Sequence, residues 1–480
     1  MLDRMEIKRV LGAEAPPTFE AASGVAHDSR LVEPGFVFVA VPGFKRDGVE
    51  FVPEAMRRGA SLVVAERDVE GVPSVVVPDA REALARLAAS FYGHPSMEME
   101  VYGITGTNGK TTTAYALYAI LAEAFGEESC GLMTTAESVY GGERRQSVRT
   151  TPEATEAQGM LAGMRDGGVG RVVMEVSSHG VSLKRVAGTR FAGALFTNLT
   201  RDHLDLHGSM EEYYKAKRQL FLWTEGPKLA NAEDEWGRRL AREVEGVATF
   251  GGTEDTDFRV EGACLSGKGT SFVLRHPGGV LEVETPLLGS YNVLNVAGAA
   301  SLALAAGVDA GAGRRAIRSM PQAPGRFERV GGAPFEVIVD YAHTDAGLEA
   351  VLKVARGVAE DGRVICVFGA AGERDGTKRP LMGKVASELA DESIITTDDA
   401  YGEDPAKIAR EVAAGTDGDV KIVLDRREAI RRALAAARAG DVVVVAGKGH
   451  ERVQHLPQGD VPFHDATVVA ELLEEGRKGE

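Results

Sequence analysis

Residues 101–113 read VYGITGTNGKTTT, an apolar run that ends in a glycine-rich turn and opens onto TTTAYALYAILAEAF. The pattern predicts a buried strand, a loop over Thr105-Gly106-Thr107-Asn108-Gly109, and a helix beginning near Lys110. Glycine reaches backbone angles closed to other residues, so successive amides of such a loop can turn inward around phosphate. The helix start adds amide donors and partial positive charge. In this arrangement Lys110 reaches the β and γ phosphates and the Thr111 hydroxyl faces Mg²⁺. The usual expression requires a glycine where this chain has Ile104. Gly103 and Gly106 flank that place, which predicts a loop of altered shape with the same purpose. A structural turn is the competing reading, and the strand before and helix after favour nucleotide binding.

At 480 residues the chain is long enough for about three domains. Its 44% hydrophobic and 26% charged residues are ordinary for a globular protein. Apolar runs such as VVVVA (442–446) are too short to cross a bilayer, and MLDRMEIKRV lacks a signal-peptide pattern, so a cytoplasmic protein without membrane insertion is expected. Cys130, Cys264 and Cys366 lie far apart without CxxC spacing, which indicates neither a disulfide framework nor zinc. A formal charge of −16 disfavours nucleic acid as a partner. Anionic substrates must then be held by local lysines, arginines, helix ends or metal.

Outward from the loop, residues 1–100 show short β-rich runs (37–43, 61–66, 73–78) with helical stretches between and after them, a small N-terminal α/β domain. Residues 101–325 alternate strands and helices as a central P-loop ATPase-type sheet. RVVMEVSSHG (171–180) and AGALFTNL (192–199) both end in polar clusters, on the sheet edge where Lys110 lies. MEEYYKAKRQLFLW (210–223) predicts a helix carrying Lys215 and Lys217. Asn292 and Asn295 are three apart, on one face of a helix in 289–307. From Pro324–Phe327, a hinge, a fresh βαβα series predicts a C-terminal Rossmann-like, doubly wound sheet over 326–480. It lacks GxGxxG, so no dinucleotide cofactor is expected.

Taken together, HDSR (27–30), TGTNGKTTT (105–113), RTTPE (149–153), MEVSSHG (174–180), FTNLTRDHLDLHG (196–208), YYKAK (213–217), YNVLN (291–295), PGRFE (324–328), DYAHT (340–344), FGAAGERDGTKRP (368–380) and GKGHE (447–451) resemble the Mur ligases of peptidoglycan synthesis over nearly the whole chain. The resemblance implies a uridine-nucleotide domain, an ATP domain and an amino-acid domain. It implies ATP-driven formation of an acyl phosphate on UDP-N-acetylmuramoyl-L-alanyl-D-glutamate, which an incoming amine attacks to add the third amino acid.

By the same resemblance Gly106, Thr107, Asn108, Gly109, Lys110, Thr111, Thr112, Asn292, Asn295, Arg326 and Asp340 bind ATP, with His343 ordering the junction. Two Mg²⁺ are expected on Thr111, Glu175 and His203, together with a CO₂-derived carbamate on Lys217. Lys110, Lys217 and His203 form the catalytic set. Ser29 and Arg30 fall to the uridine diphosphate; Thr150, Thr151, Ser177 and Arg185 fall to the muramoyl dipeptide. Arg379, Asp398, Asp399, Tyr401, Gly447 and Glu451 fall to the amino acid, Arg379 at its α-carboxylate. A monomer is expected.

At one place the chain departs from the pattern. Family members that take diaminopimelate carry Asp-Asn-Pro-Arg, and here the stretch is Asp398-Asp399-Ala400-Tyr401. Tyrosine cannot form a bidentate ion pair, and Asp399 adds negative charge, so a basic amino acid is expected, L-lysine before L-ornithine. Diaminopimelate addition, ligation of another carboxylate, and a nucleotide-dependent regulatory module are the alternatives.

Overall fold

The structure, a computed structural model, describes residues 2–43, 46–418 and 420–478. N-terminal, central and C-terminal α/β domains follow one another along the chain. They form two compact units, the first holding 1–105, 125–195 and 215–228, the second 106–124, 196–214 and 229–480. Among the described residues no helix is long and apolar enough to cross a membrane.

In the first unit the N-terminal strands Gly24–Ala26, Phe36–Val39, Leu62–Ala65 and Ser74–Val76 pair in parallel in that order. Alternate side chains leave opposite faces of a strand. Val37, Val39, Leu62 and Val64 therefore meet Leu84 and Leu87 of the helix Ala80–Phe91, while Phe38, Val63 and Ala65 meet Val52 and Ala55 on the other face. Asp79 starts that helix by accepting from the Arg81 and Glu82 amides.

The strand Glu100–Thr105 lies parallel to Arg171–Glu175, with Ile104 opposite Glu175, and Cys130–Met133 continues the parallel set. Val101, Ile104, Val172 and Val173 are fully buried, which explains why these strands read as continuous apolar runs. Gly103 sits in tight packing, since a Cβ there would lie 3.0 Å from both Leu220 and Phe191 side chains. The polar residues that follow Ile104 and Met174 thus emerge at one edge.

In the second unit the helices Lys110–Phe125 and Ser290–Ala305 accompany an antiparallel meander of Phe258–Ser266, Gly269–His276 and Gly279–Thr285. The C-terminal sheet runs Glu328–Arg329, Glu336–Asp340, Val442–Ala446, Val364–Phe368, Glu392–Ile395, Lys421–Ile422, parallel except at its first edge. Ile338, Cys366, Val444 and Ile395 face Leu348, Leu352, Met382 and Ile408 of three helices. Val337, Ile365, Val443 and Ile394 face Ile430, Val469 and Leu472 of two others. Helices on both faces make it doubly wound, and the residues expected from the sequence to serve the site lie at or just beyond the carboxyl ends of its strands: Asp340, Asp398 and Asp399, Gly447 and Glu451.

Candidate functional site

The phosphate loop is held open by its second unit neighbours. Lys110 Nζ turns back across it to the carbonyls of Gly106 and Thr107, at 3.1 and 2.9 Å. Gly109 has φ of +83°, and a Cβ there would sit 2.2 Å from Asn295 Oδ1, so both conformation and space demand glycine. Not every loop amide points inward as the sequence predicts. Those of Thr107 and Asn108 donate to the Asn198 carbonyl and side-chain oxygen, both at 2.9 Å. Asn198 and Thr197 in turn donate to the Asn108 carbonyl, at 3.1 and 2.6 Å. The TNLT segment therefore shapes the loop, and phosphate would rely on Lys110 and the helix start.

Arg326 reaches the same place from the predicted hinge. It donates to Thr111 Oγ1 at 3.0 Å and lies over the Tyr341 ring at 4.4 Å. The Asp340 carboxylate accepts from the amides of Phe327 and Ala342, at 2.6 and 2.7 Å. Burial pushes its pKa up to about 6 against the pull of Arg326. Asn295 donates to Asn292, which donates to the Leu288 carbonyl, so the two asparagines share a buried face.

His203 has φ of +52°, and its Nε2 lies 3.3 Å from Asp202. His343 approaches the same carboxylate at 3.9 Å. Burial raises the Asp202 pKa, but His203, His343 and Lys378 outweigh it and hold it low. Asp202 and Lys378 were not singled out from the sequence, although both lie inside quoted motifs.

Glu175 belongs to the first unit and is fully buried. Its carboxylate accepts from the Thr135 amide and hydroxyl, each at 3.1 Å. The Thr150 hydroxyl lies 3.0 Å from that of Thr135, which can accept from it while donating to Glu175, and Thr151 meets Ser177 at 3.0 Å and accepts Arg185 on its carbonyl at 3.1 Å. Arg185 pairs with Glu153 at 2.7 Å, and burial lowers its pKa. Glu175, Thr150, Thr151, Ser177 and Arg185 are thus assembled together. Ser29 and Arg30 instead have local partners, Glu54 at 2.7 Å and Asp28 at 2.6 Å. Lys217 is buried on its helix and Lys215 exposed.

At the C-terminal edge, Lys448 was not predicted as a site residue. Its wholly buried ammonium donates to Asp399 at 2.7 Å and to Glu451 at 2.8 Å. Burial pushes the lysine pKa down, but Asp398, Glu451 and Asp399 outweigh it and raise it. Burial likewise raises Asp398, yet Lys448 and Arg426 hold it below its ordinary value. Burial wins at Glu451, whose pKa is raised. Gly447 (φ +117°) lies so close to Asp398 that a Cβ would be 2.4 Å from its carboxylate. Arg379, expected at a substrate carboxylate, is held by two glutamates the sequence reading did not connect to it, Glu403 at 3.0 Å and Glu411 at 2.5 Å. Tyr401 stacks on His455 with ring centroids 5.2 Å apart.

Similarity to known proteins agrees with this geometry. Residues 21–92 match the Mur ligase family catalytic domain, 104–303 the Mur ligase middle domain, and 325–449 the Mur ligase glutamate ligase domain. The UDP-N-acetylmuramoyl-L-alanyl-D-glutamate–2,6-diaminopimelate ligase of Syntrophomonas wolfei is 42% identical, covering 95% of this chain and 96% of that one. The ligase of the same name from Aquifex aeolicus is 40% identical, covering 94% and 93%. A solved structure of a ligase of that name superposes with a TM-score of 0.68 at 30% identity, over 95% of this chain and 96% of the other. The chain belongs to the Mur ligase family and is an ATP-dependent ligase.

Proposed function

We propose that this ligase joins 2,6-diaminopimelate to UDP-N-acetylmuramoyl-L-alanyl-D-glutamate. ATP gives its γ-phosphoryl group to a free carboxylate of the dipeptide substrate, forming an acyl phosphate and ADP. The amine of diaminopimelate attacks the acyl carbon, and phosphate leaves. The observation that carries this reading is one compact unit holding both a phosphate loop, bridged by Lys110 and approached by Arg326, and a buried Asp399–Lys448–Glu451 cluster. One suits a triphosphate and the other an amino acid. The names of the full-length relatives supply the substrate. The expectation of lysine or ornithine, drawn from Asp399 and Tyr401 alone, gives way to them.

Within this reading, residues 1–100 take the uridine nucleotide, 101–325 the ATP and 326–480 the amino acid. Arg326, Asp340, Asn292 and Asn295 serve the nucleotide, and Thr150, Thr151, Ser177 and Arg185 the dipeptide. Thr111 and Glu175 offer the oxygen donors that Mg²⁺, a hard cation, prefers, and His203 offers a nitrogen. Glu175 is a buried carboxylate whose hydrogen bonds come from neutral donors, an arrangement that invites a cation. By the family resemblance Thr111 and His203, and separately Glu175 in the first unit, would serve as Mg²⁺ ligands, and the cation would neutralise charge on the transferring phosphoryl group. Lys217 in its neutral form would add CO₂ and lose a proton to become a carbamate.

Purified chain supplied with ATP, Mg²⁺ and the uridylated dipeptide should release phosphate fastest with diaminopimelate, compared with lysine and ornithine. Preference for lysine would refute the substrate, and ADP formation that never yields a peptide link would refute the reaction.

A further inference from the structure

The helices Arg4–Leu11 and Ala80–Phe91 of the first unit, with the segments that lead into the strands Glu100–Thr105 and Gly193–Phe196, border a pocket of about 440 Å³. It stands before the amino end of Glu100–Thr105. Glu175 stands at the carboxyl end of the parallel neighbour Arg171–Glu175, so this pocket and the Glu175 cluster lie at opposite ends of the sheet. The chain carries 55 lysines and arginines against 71 acidic residues, yet the pocket has the reverse balance: Arg9, Arg86, Arg190 and His94 line it with one carboxylate, Glu225. Arg9 holds Glu6 at 2.7 Å and Arg190 holds Glu225 at 3.0 Å, both in exposed pairs. Exposed pairs contribute little to stability, so a ligand can take over these cations at small cost. Arg86 is exposed, and no carboxylate pairs with it among the described residues. Half-buried Trp223, exposed Met97 and Val10 supply apolar lining.

Close contacts fix the frame around these groups. Gly188 passes so near the helix Ala80–Phe91 that a Cβ would lie 2.5 Å from the Ala85 carbonyl oxygen. The buried Ser96 hydroxyl accepts the Arg190 amide at 3.0 Å, and Gln158 donates to Thr189 at 3.0 Å. His94 takes a left-handed backbone angle, φ +52°; its amide donates to the Ala89 carbonyl at 2.7 Å and its Nε2 lies 3.4 Å from Arg9. Guanidinium groups from three separate segments thus border one cavity together with an indole.

We propose that this pocket binds a small organic phosphate carrying a planar ring. A guanidinium forks onto phosphate oxygens, and the fork of Arg86 is open to receive them. The ring packs against the Trp223 indole and the Met97 thioether. The site is separate from the phosphate loop at Lys110 and from the amino-acid edge, and it does not depend on which amino acid the ligase adds.

Trp223 and Trp236 are the two tryptophans of the chain, so Trp236→Phe leaves Trp223 as the sole indole and as a reporter of the pocket. Phenyl phosphate should change its fluorescence in a saturable way. Methyl phosphate, which lacks the ring, and benzoate, which lacks the second charge, should each bind at least about threefold more weakly. Adding Arg86→Ala should weaken phenyl phosphate by about 10- to 100-fold, and Arg86→Lys should recover part of the loss. Because Arg86 is exposed, Arg86→Ala should leave thermal unfolding and the KM for ATP unchanged. Calorimetric titration of the wild type and Arg86→Ala repeats the comparison without the tryptophan substitution. Absence of saturable binding, or an affinity that Arg86→Ala leaves intact, would overturn the site. Equal binding of methyl phosphate or of benzoate would overturn the ligand class.

Discussion

Replacing Lys448 with methionine is the most searching perturbation of the C-terminal edge. The side chain is fully buried, and its ammonium contacts Asp399 at 2.7 Å and Glu451 at 2.8 Å. At an effective dielectric of about 20, a unit pair at such a distance attracts by about 6 kcal/mol before desolvation is counted. Glu451 is partly exposed, so its contact is screened and counts for less. Removing one partner of a buried pair commonly costs about 3–5 kcal/mol, since the remaining charges stay buried and uncompensated. A chain of this size need not unfold in one step, so the loss is best read locally, by hydrogen exchange in the strand Val442–Ala446. Protection there should fall about 10²- to 10⁴-fold at pH 8. The pH dependence has a definite sign. Without Lys448, the largest pull holding Asp398 low is gone, and burial, which already raises Glu451, raises both carboxyls. A carboxyl so raised favours the fold below its unfolded pKa and loses that contribution as pH climbs through the folded value. The variant should therefore recover protection toward pH 5. A deficit below tenfold, or one identical at pH 5 and pH 8, would contradict the reasoning.

Three further outcomes are expected. Gly109→Ala places a Cβ 2.2 Å from Asn295 Oδ1 at φ +83°, and should raise the KM for ATP at least about tenfold while that for the amino acid stays put; initial rates with each substrate varied will show it. Asp340 has a pKa raised to about 6 by burial, so its contribution to stability is complete below the unfolded carboxyl pKa of about 3.9 and disappears as pH rises through about 6. Asp340→Asn should flatten the stability profile between those values, and an unaltered slope in chemical unfolding would count against it. Carbon-13 bicarbonate should give the wild type a carbamate resonance that Lys217→Arg lacks; identical spectra would remove the carbamate.

Much of the scaffold was legible because buried parallel strands announce themselves. VVVVA and VICVF have apolar side chains on both faces, and the helices between them carry one apolar stripe. The meander over 258–285 escaped notice, since FRVEGACLS and GTSFVLRH mix polar with apolar residues and one long strand carries a register shift. Local placement inside contiguous motifs was also legible, as with Lys110 at the start of its helix and Asn292 on one face with Asn295. What could not be read were partnerships between distant segments. Nothing near Arg379 in sequence reveals that Glu403 and Glu411 fold over it, and nothing in GKGHE distinguishes Lys448 as the buried counter-ion of Asp399. The expectation of lysine, which the names of the relatives disfavour, has the same weakness. A four-residue stretch was judged by itself, while another loop sets the buried ammonium of Lys448 against Asp399.

The pair between Arg426 and Asp465, hidden completely from water, gives the helix Asp465–Lys478 more weight than its peripheral place suggests. Arg426 also donates to the Ala446 carbonyl at 2.9 Å, just before the turn that carries Lys448. Peeling that helix away would strand a guanidinium inside the protein next to the carboxyl end of the strand Val442–Ala446. Anchoring of the terminal helix and integrity of the Lys448 cluster are therefore one property, and a lesion in the former will surface as a defect in the latter.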